Sequence, residues 1–373
     1  MTTNDTAAWY SIRNISTIDS PALVVYYEKV KENIRLLRLL SGDVMLLRPH
    51  VKTNKIAEVC QLMLDEGITQ FKCATIAEAE MLAGIKAPDV LLAYQPVGPK
   101  AERFIQLIKT YPTTVFSCLI DNAPVAQTLS KLAVANGVDV RVLIDINVGM
   151  DRTGIAAGEP ALALWTYATS LPGIKMTGLH GYDGQVSDTA IDVRQQRSDN
   201  GFAKVEVMAG KIKEQSGVTP LIVMGGSPTF PTHMRRKGVQ CSPGTFVFWD
   251  YSYKTQLPDL PFDYAALVIT RVISIIDEHT ICTDLGHKSV AAENPFPRVY
   301  FLNAPDAKPI RQSEEHLVVR VEDASVFSVG DVLYGAPVHI CPTVALYERA
   351  VVIKHGEAAM EWKVVARDRR INI

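Results

Sequence analysis

No Cys-x-x-Cys pair, no long apolar run and no surplus of either charge occur in this sequence, and each absence narrows what the protein can be. The 6 cysteines are scattered, which fits reduced thiols in a cytoplasmic protein better than a disulfide scaffold. Lys and Arg number 38 against 40 Asp and Glu, a formal net charge of -2. Nothing electrostatic therefore calls for nucleic acid or an anionic membrane as partner. No apolar run is long enough to span a bilayer. The opening Met1-Thr2-Thr3-Asn4-Asp5 lacks the basic start and apolar block of a signal peptide. Solenoid-period repeats and low-complexity tracts are missing too. What remains is 373 residues, 47% apolar and 21% charged. Such a chain has a substantial core and room for two domains, or for one large barrel with an addition.

Residues 1–20 read as a polar lead-in that can pair with a later β domain; it ends at Asp19-Ser20-Pro21. After a strand-like Ala22-Leu23-Val24-Val25-Tyr26, strands and helices alternate to about residue 250. The pattern predicts strands near 44–48, 71–74, 89–93, 115–119, 138–145, 174–180, 221–224 and 243–248. Helix signals lie between them. Thr75-Ile76-Ala77-Glu78 has the form of a capping box, with Gly84 as a stop. Asp121-Asn122-Ala123-Pro124 opens a helix that Asn136-Gly137 closes. Eight strand–helix units in about 230 residues match a (β/α)8 TIM-type barrel. An open doubly wound sheet is weaker, because no Gly-x-Gly-x-x-Gly fingerprint follows the first strand. Beyond about residue 255, Val268–Ile276, His279–Cys282 and Leu317–Val321 are β-rich, with Pro- and Gly-bearing turns between. The predicted division is a barrel over 21–254, then a C-terminal antiparallel β domain over 255–373.

Candidate chemistry collects where the barrel strands end. Lys52 lies in Arg48-Pro49-His50-Val51-Lys52-Thr53-Asn54, between a short apolar run and a helix that Thr53 or Asn54 can cap. A lysine crowded by cations and low-dielectric walls has reason to lose its proton, and a neutral amine condenses with an aldehyde; a lysine in isolation is more often a solvated surface residue. Thr75, Gln95, Asp151-Arg152-Thr153-Gly154 and His180-Gly181-Tyr182 sit at other strand ends. Gly225-Gly226-Ser227 and Pro243-Gly244-Thr245 follow the last two strands, where barrels commonly bind phosphate on backbone N–H groups. Singly these are ordinary turns and caps. Together they describe a phosphate cradle facing a lysine, which suits pyridoxal phosphate.

Asp19-Ser20-Pro21-Ala22, Arg48 to Thr53, Gly149-Met150-Asp151-Arg152-Thr153-Gly154, Gly225-Gly226-Ser227-Pro228-Thr229 and Ser242-Pro243-Gly244-Thr245 together resemble the D-threonine aldolase and D-serine dehydratase family. Asp284-Leu285-Gly286-His287-Lys288, Ser313-Glu314-Glu315-His316 and His339-Ile340-Cys341-Pro342 extend the resemblance over nearly the whole chain. It implies an alanine-racemase-like fold with Lys52 as the Schiff-base lysine and Arg152 supporting the cofactor ring. Tyr182, Gly226, Ser227, Gly244 and Thr245 then hold the phosphate, and Gln95 lines the pocket. His180 either packs near the ring or is a half-buried histidine satisfied by backbone. One departure is Asn54, where many relatives read Lys-Thr-His-Lys.

His339 and Cys341 form the second candidate site. Strand alternation would put both on one face, and sulfur with nitrogen suits zinc better than magnesium or manganese. Two ligands are few for a metal, so the spacing by itself favours a plain β face. The resemblance reverses that, because family members use this pair for a divalent ion. It places Cys341 nearer a zinc-dependent dehydratase branch, with manganese or magnesium as alternatives. Lys288 and His316 are assigned no role. The expected activity is a lyase cleaving or dehydrating D-configured β-hydroxy-α-amino acids, in a homodimer. The rival readings are an amino-acid racemase of the same fold and a non-catalytic pyridoxal phosphate carrier.

Overall fold

The computed structural model describes residues 8–373; the first seven residues of the predicted N-terminal segment lie outside the described residues. The chain divides into two compact units. One comprises Met1–Ile34, Thr245–Thr255 and Leu260–Arg367, the other Arg35–Gly244, Gln256–Asp259 and Asp368–Ile373.

Strand β1 (Ala22–Tyr26) and helix α1 (Tyr27–Ser41) come first. The barrel unit then runs β2 (Gln70–Cys73), β3 (Asp89–Leu92), β4 (Val115–Ile120), β5 (Val140–Asn147), the short β6 (Ile155–Ala156), β7 (Ile174–Gly181), β8 (Leu221–Met224) and β9 (Val239–Cys241). All pair in parallel, in the order β2-β3-β4-β5-β7-β8-β9, with β6 beside β5. Between them lie α2 (Ala57–Asp65), α3 (Ile76–Gly84), α4 (Pro99–Thr110), α5 (Ala123–Asn136), α6 (Glu159–Thr169), α7 (Ile191–Ser216) and α8 (Phe230–His233).

The capping signals act as their chemistry dictates. Thr75 Oγ1 accepts from Glu78 N at 3.1 Å, while Glu78 Oε2 accepts from Ala74 N at 2.7 Å. Asn122 Oδ1 accepts from Val125 N at 3.0 Å, and Gly137, at φ +64, closes α5. By contrast α2 starts at Ala57 without a side-chain cap; Asn54 Oδ1 bonds Ile56 N just outside it, at 3.0 Å.

Two predicted strands are corrected. Residues 44–46 form a 3-10 turn capped by Asp43, and the eighth stave of the barrel is 47–51. On one side Arg48 N reaches Cys241 O at 2.8 Å and His50 N reaches Pro243 O at 3.0 Å. On the other, Val51 N and Lys72 O, and Lys72 N and Pro49 O, pair at 2.9 Å. Pro49 has no N–H to give, so the ladder stays two bonds long and never becomes a regular strand. The expected strand at 243–248 is likewise replaced by β9, three residues ending at Cys241, and a 3-10 turn at Thr245–Val247.

Inside the barrel Leu91, Leu119, Leu143 and Val223 form one buried cluster. The second unit continues with α9 (Tyr251–Gln256), β10 (Ala266–Asp277), β11 (Thr280–Thr283), β12 (Val299–Phe301), β13 (Lys308–Gln312), β14 (Leu317–Arg320), β15 (Val332–Pro337), α10 (Ile340–Leu346), β16 (Arg349–Lys354) and β17 (Glu357–Lys363). Its sheet is antiparallel except where β1 lies parallel to β16. Ser20 Oγ donates to Asp284 Oδ2 at 2.5 Å, and Thr270 Oγ1 donates to Asp284 Oδ1 at 2.5 Å, so two of the sequence motifs meet here. The described helices include none long and apolar enough to cross a membrane.

Candidate active site

Lys52 sits half-buried in the turn that leaves the eighth stave. Its backbone N–H points at His50 Nδ1, 3.3 Å away. That ring is held neutral: burial, then the nearby Lys52 and Lys72 charges, keep it well below its ordinary value. Three cations converge on one aromatic ring. Lys52 Nζ lies 5.6 Å from the Tyr182 ring centroid, Lys72 Nζ 5.8 Å and the Arg152 guanidinium 5.0 Å.

Arg48 is not among them. Its guanidinium turns to the amino end of the barrel and binds Asp89 Oδ1 at 2.6 Å, Gln240 Oε1 at 2.7 Å and Gln70 Oε1 at 2.9 Å. The cation beside Lys52 is instead Lys72, which the sequence reading missed. A signal existed: Gln70 and Lys72 alternate on one face of β2, and a lysine there must point into the barrel. Burial first, then the Lys52 charge, lower its pKa to about 7, against the pull of Asp145 and Asp183.

His180 is not a half-buried histidine satisfied by backbone. It is buried, with Nδ1 2.7 Å from Asp145 Oδ1 and Nε2 3.4 Å from Lys72 Nζ. Burial and Lys72 hold the imidazole below its ordinary value, against Asp145. Burial opposes charge on Asp145, yet bonds from His180, Thr153 and Gln95 outweigh it and keep the carboxylate below its usual range. Gln95 Nε2 spans Asp121 Oδ2 at 2.9 Å and Asp145 Oδ2 at 3.1 Å, so its amide is committed to carboxylates. Asp121 in turn accepts from Gly154 N at 3.1 Å, which ties down the Arg152 loop.

The glycine turn after β8 is built for close approach. Gly225 has φ +78, and a Cβ there would meet His233 at 2.7 Å; a Cβ on Gly226 would come 3.1 Å from the Tyr182 ring. Thr229 Oγ1 and His233 Nε2 both bond the buried Asp183, each at 2.7 Å, and brace the turn from below. Gly244 leaves no room either, since a Cβ would lie 2.8 Å from His50 O; its N–H donates to Ser227 Oγ at 3.2 Å. Ser242 Oγ is buried with no partner among the described residues. Crowded glycines, a spare buried hydroxyl and three cations fit a phosphorylated, anionic aromatic group. Asn54 Nδ2 is also buried and unsatisfied, which locates the departure from the family pattern.

In the other unit, His339 and Cys341 are brought together by a helix start rather than by strand alternation. β15 ends at Pro337, His339 is the N-cap of α10 and Cys341 lies in its first turn. Pro342 within that turn explains why a strand cannot continue. Glu293 Oε1 sits 2.5 Å from His339 Nδ1, and Cys341 Sγ is 3.6 Å from Thr245 Oγ1. Burial opposes charge on His339, but Cys341, Glu293 and Asp250 outweigh it and hold its proton up to about 9. A carboxylate on Nδ1 leaves Nε2 for a metal, the usual orienting arrangement. Among the described residues no group of three or more His, Cys, Asp or Glu gathers as a metal cage, so the donor set is this pair, and it suits a soft-to-borderline ion. Lys288 is exposed and ion-paired to Glu314 at 2.6 Å and Glu315 at 3.3 Å.

The family model described as alanine racemase, N-terminal domain, matches residues 25–252. The chain belongs to this family. A serine dehydratase domain model matches residues 265–353, which together reproduce the family resemblance read from the motifs. A D-threonine aldolase of Arthrobacter sp is 28% identical over 363 residues, covering 95% of this chain and 94% of the relative. Among solved structures, the D-threonine aldolase of Filomicrobium marinum superposes with a TM-score of 0.89 at 23% identity, over 96% of this chain and 98% of that one. A cysteine-to-alanine mutant of D-threo-3-hydroxyaspartate dehydratase, in the metal-free form, reaches 0.82 at 20% identity over 93% and 97%. These likenesses show the alanine-racemase-like fold.

Proposed function

We propose that this protein is a pyridoxal phosphate-dependent lyase of D-configured β-hydroxy-α-amino acids, assisted by a divalent metal ion. The reading is carried by the convergence of Lys52, Arg152 and Tyr182 beside the Gly225-Gly226-Ser227 turn. When bound, the cofactor supplies a conjugated electron sink for charge released at the substrate Cα. Lys52 supplies the amine that holds its aldehyde and, once released, a base that takes the α-proton or returns it. Arg152 orients the ring and Tyr182 flanks it. Gly226, Ser227, Gly244 and the next residue, Thr245, hold the phosphate on backbone N–H and hydroxyl groups. Gln95 holds Asp121 and Asp145 and so keeps the Arg152 loop in place.

His339 Nε2 and Cys341 Sγ would hold the divalent ion, which contributes Lewis acidity toward the β-hydroxyl. Zinc suits this N,S pair best, with manganese or magnesium as the alternatives. Loss of the hydroxyl gives a keto acid and ammonia, whereas cleavage of the Cα–Cβ bond gives glycine and an aldehyde. The aldolase and dehydratase relatives, and the metal-free cysteine mutant, support this reading. We assign the cofactor to residues 21–254 and the metal to 255–373, and place the protein in the cytoplasm as a homodimer. A monomer in light scattering would contradict the last point.

The test is product analysis on D-serine, D-threonine and D-threo-3-hydroxyaspartate, with zinc or manganese and with EDTA. Keto acid or glycine formation, lost on chelation, is expected. Loss of optical rotation insensitive to EDTA would mark a racemase instead, and no turnover of any substrate would sink the lyase reading.

A further inference from the structure

Inside the barrel, β2 and β7 bring together two buried groups that the lyase chemistry does not use. Lys72 is 2% exposed and His180 4%. Their order of bonds is decided by Asp145. Its Oδ1 faces His180 Nδ1 at 2.7 Å, and its Oδ2 accepts from Thr153 Oγ1 at 2.9 Å and Gln95 Nε2 at 3.1 Å. A carboxylate with that many donors is an acceptor only, so the imidazole proton is on Nδ1 and the Nε2 lone pair faces Lys72 at 3.4 Å. The ammonium form of Lys72 satisfies this arrangement with a donated bond. Its neutral form loses little, because His180 stays anchored to Asp145 either way. The amine is therefore free to gain and lose a proton in place. Lys72 Nζ also lies within 5.8 Å of the ring on which Lys52 and Arg152 converge.

We propose that Lys72 is a positioning residue for the cofactor site: protonated, it presents a buried positive charge to an anionic ligand beside Lys52, and on losing the proton it withdraws that charge. The inference rests on the reading of this site as the pyridoxal phosphate site. Groups facing Lys72 come from every wall around it. They are Arg48, His50 and Lys52 from the eighth stave and its turn, Asp145 from β5, His180 from β7 and Asp183 from the loop after it, with Lys55 and Arg152 behind His50 and His180. Arg48 and Lys55 are already neutralised by Asp89 and Glu78, and His50 and His180 are held uncharged. Lys72, titrating at about 7, changes its charge across neutral pH. For an anion bound beside the Tyr182 ring, a unit charge at a separation on the order of 6 Å in a poorly screened interior would be worth at least tenfold in affinity.

The experiment uses pyridoxamine 5'-phosphate, an amine that forms no covalent bond with Lys52 and whose own titration is common to all the proteins compared. Kd is measured by equilibrium dialysis from pH 6 to 8.5 on the wild-type protein, Lys72→Arg and Lys72→Met. The wild-type Kd should rise about tenfold more over this range than that of Lys72→Arg, whose charge never leaves. Lys72→Met should bind about tenfold more weakly than wild type at pH 6 and equal it at pH 8.5. Parallel pH profiles in wild type and variants would overturn the assignment, as would a residue whose loss lowers only stability. Either variant decides by itself if the other does not fold. Borohydride trapping of pyridoxal phosphate, read by mass spectrometry of the Lys52 peptide, separates the two inferences. No adduct in wild type means the cofactor reading is wrong, and an adduct with parallel profiles means only Lys72 is misassigned.

Discussion

Replacing Lys72 by methionine should stabilise the cofactor-free protein at pH 6.5 and lose most of that advantage by pH 9.5. Lys72 titrates at about 7 in the fold against its ordinary 10.5, and the unfolded chain shows the ordinary value. Below pH 7 both states carry the proton, and the folded state bears the full cost of a charge at 2% exposure. Between about 7 and 10.5 the fold gives its proton up while the unfolded chain still binds one, so native stability rises with pH. Each tenfold ratio of proton affinities is about 1.4 kcal/mol. Integrated from pH 6.5 to 9.5, the rise attributable to this one amine is about 3 kcal/mol. The partners His180 and Asp145 make that an upper figure, since both can relax around a charged Lys72. Methionine fills a similar volume and does not titrate, so the variant lacks the rise. Calorimetric melting of both proteins across this pH range gives the answer, because groups that do not face Lys72 titrate alike in each; His50 and His180, which its charge holds down, are the exceptions. The difference in Tm between them should change by roughly 5 °C. Curves that run parallel across the range would refute the claim that Lys72 is a buried, proton-poor amine.

The glycine turn, the Arg48 cluster and the His339–Cys341 pair each carry an expected outcome of their own. Gly226→Val should raise the Kd for pyridoxal phosphate at least tenfold, by fluorescence titration, and lower the Tm of the cofactor-free protein by a few degrees. A Cβ there already meets the Tyr182 ring at 3.1 Å, and overpacking costs about 1–3 kcal/mol. Arg48→Met should lower stability by about 1–3 kcal/mol in urea unfolding, because it takes the buried donor from Gln240 and from the partly exposed Asp89, while Gln70 keeps the Gln240 amide; adding Asp89→Asn should return part of the loss. Cys341→Ala should abolish stoichiometric zinc by elemental analysis while leaving borohydride trapping at Lys52 intact, and Glu293→Gln should weaken zinc about tenfold or more through His339.

Much of this protein was readable before any coordinates. Thr75 with Glu78, and Asn122 with Gly137, act within one helical turn of themselves, and local chemistry of that range is written in neighbouring residues. The alternation of strand and helix signals carried the barrel, and Gly225, whose φ of +78 is a property of its turn, marked the cradle; the crowding at Gly226 and Gly244 comes instead from Tyr182 and His50. What escaped depended on residues far apart in the chain. Residues 47–51 became a stave through bonds to 241–243 on one side and to 72 on the other, while Pro49 denied them the ladder that a strand pattern looks for. His339 and Cys341 stayed together even though the strand expected to align them stopped at Pro337.

Composition, caps and turns by themselves determined that this chain folds as a barrel followed by a β domain and offers Lys52 at a strand end. Only the closed barrel decided what Lys52 would meet. Closure set Lys72, 20 positions on, against His180 and Asp145 from opposite staves, and carried Arg48 away to Asp89. The physical reason is that a side chain's charge depends on its solvent and its neighbours. In a barrel those are fixed by which strands face each other across the core, not by which residues adjoin it in sequence.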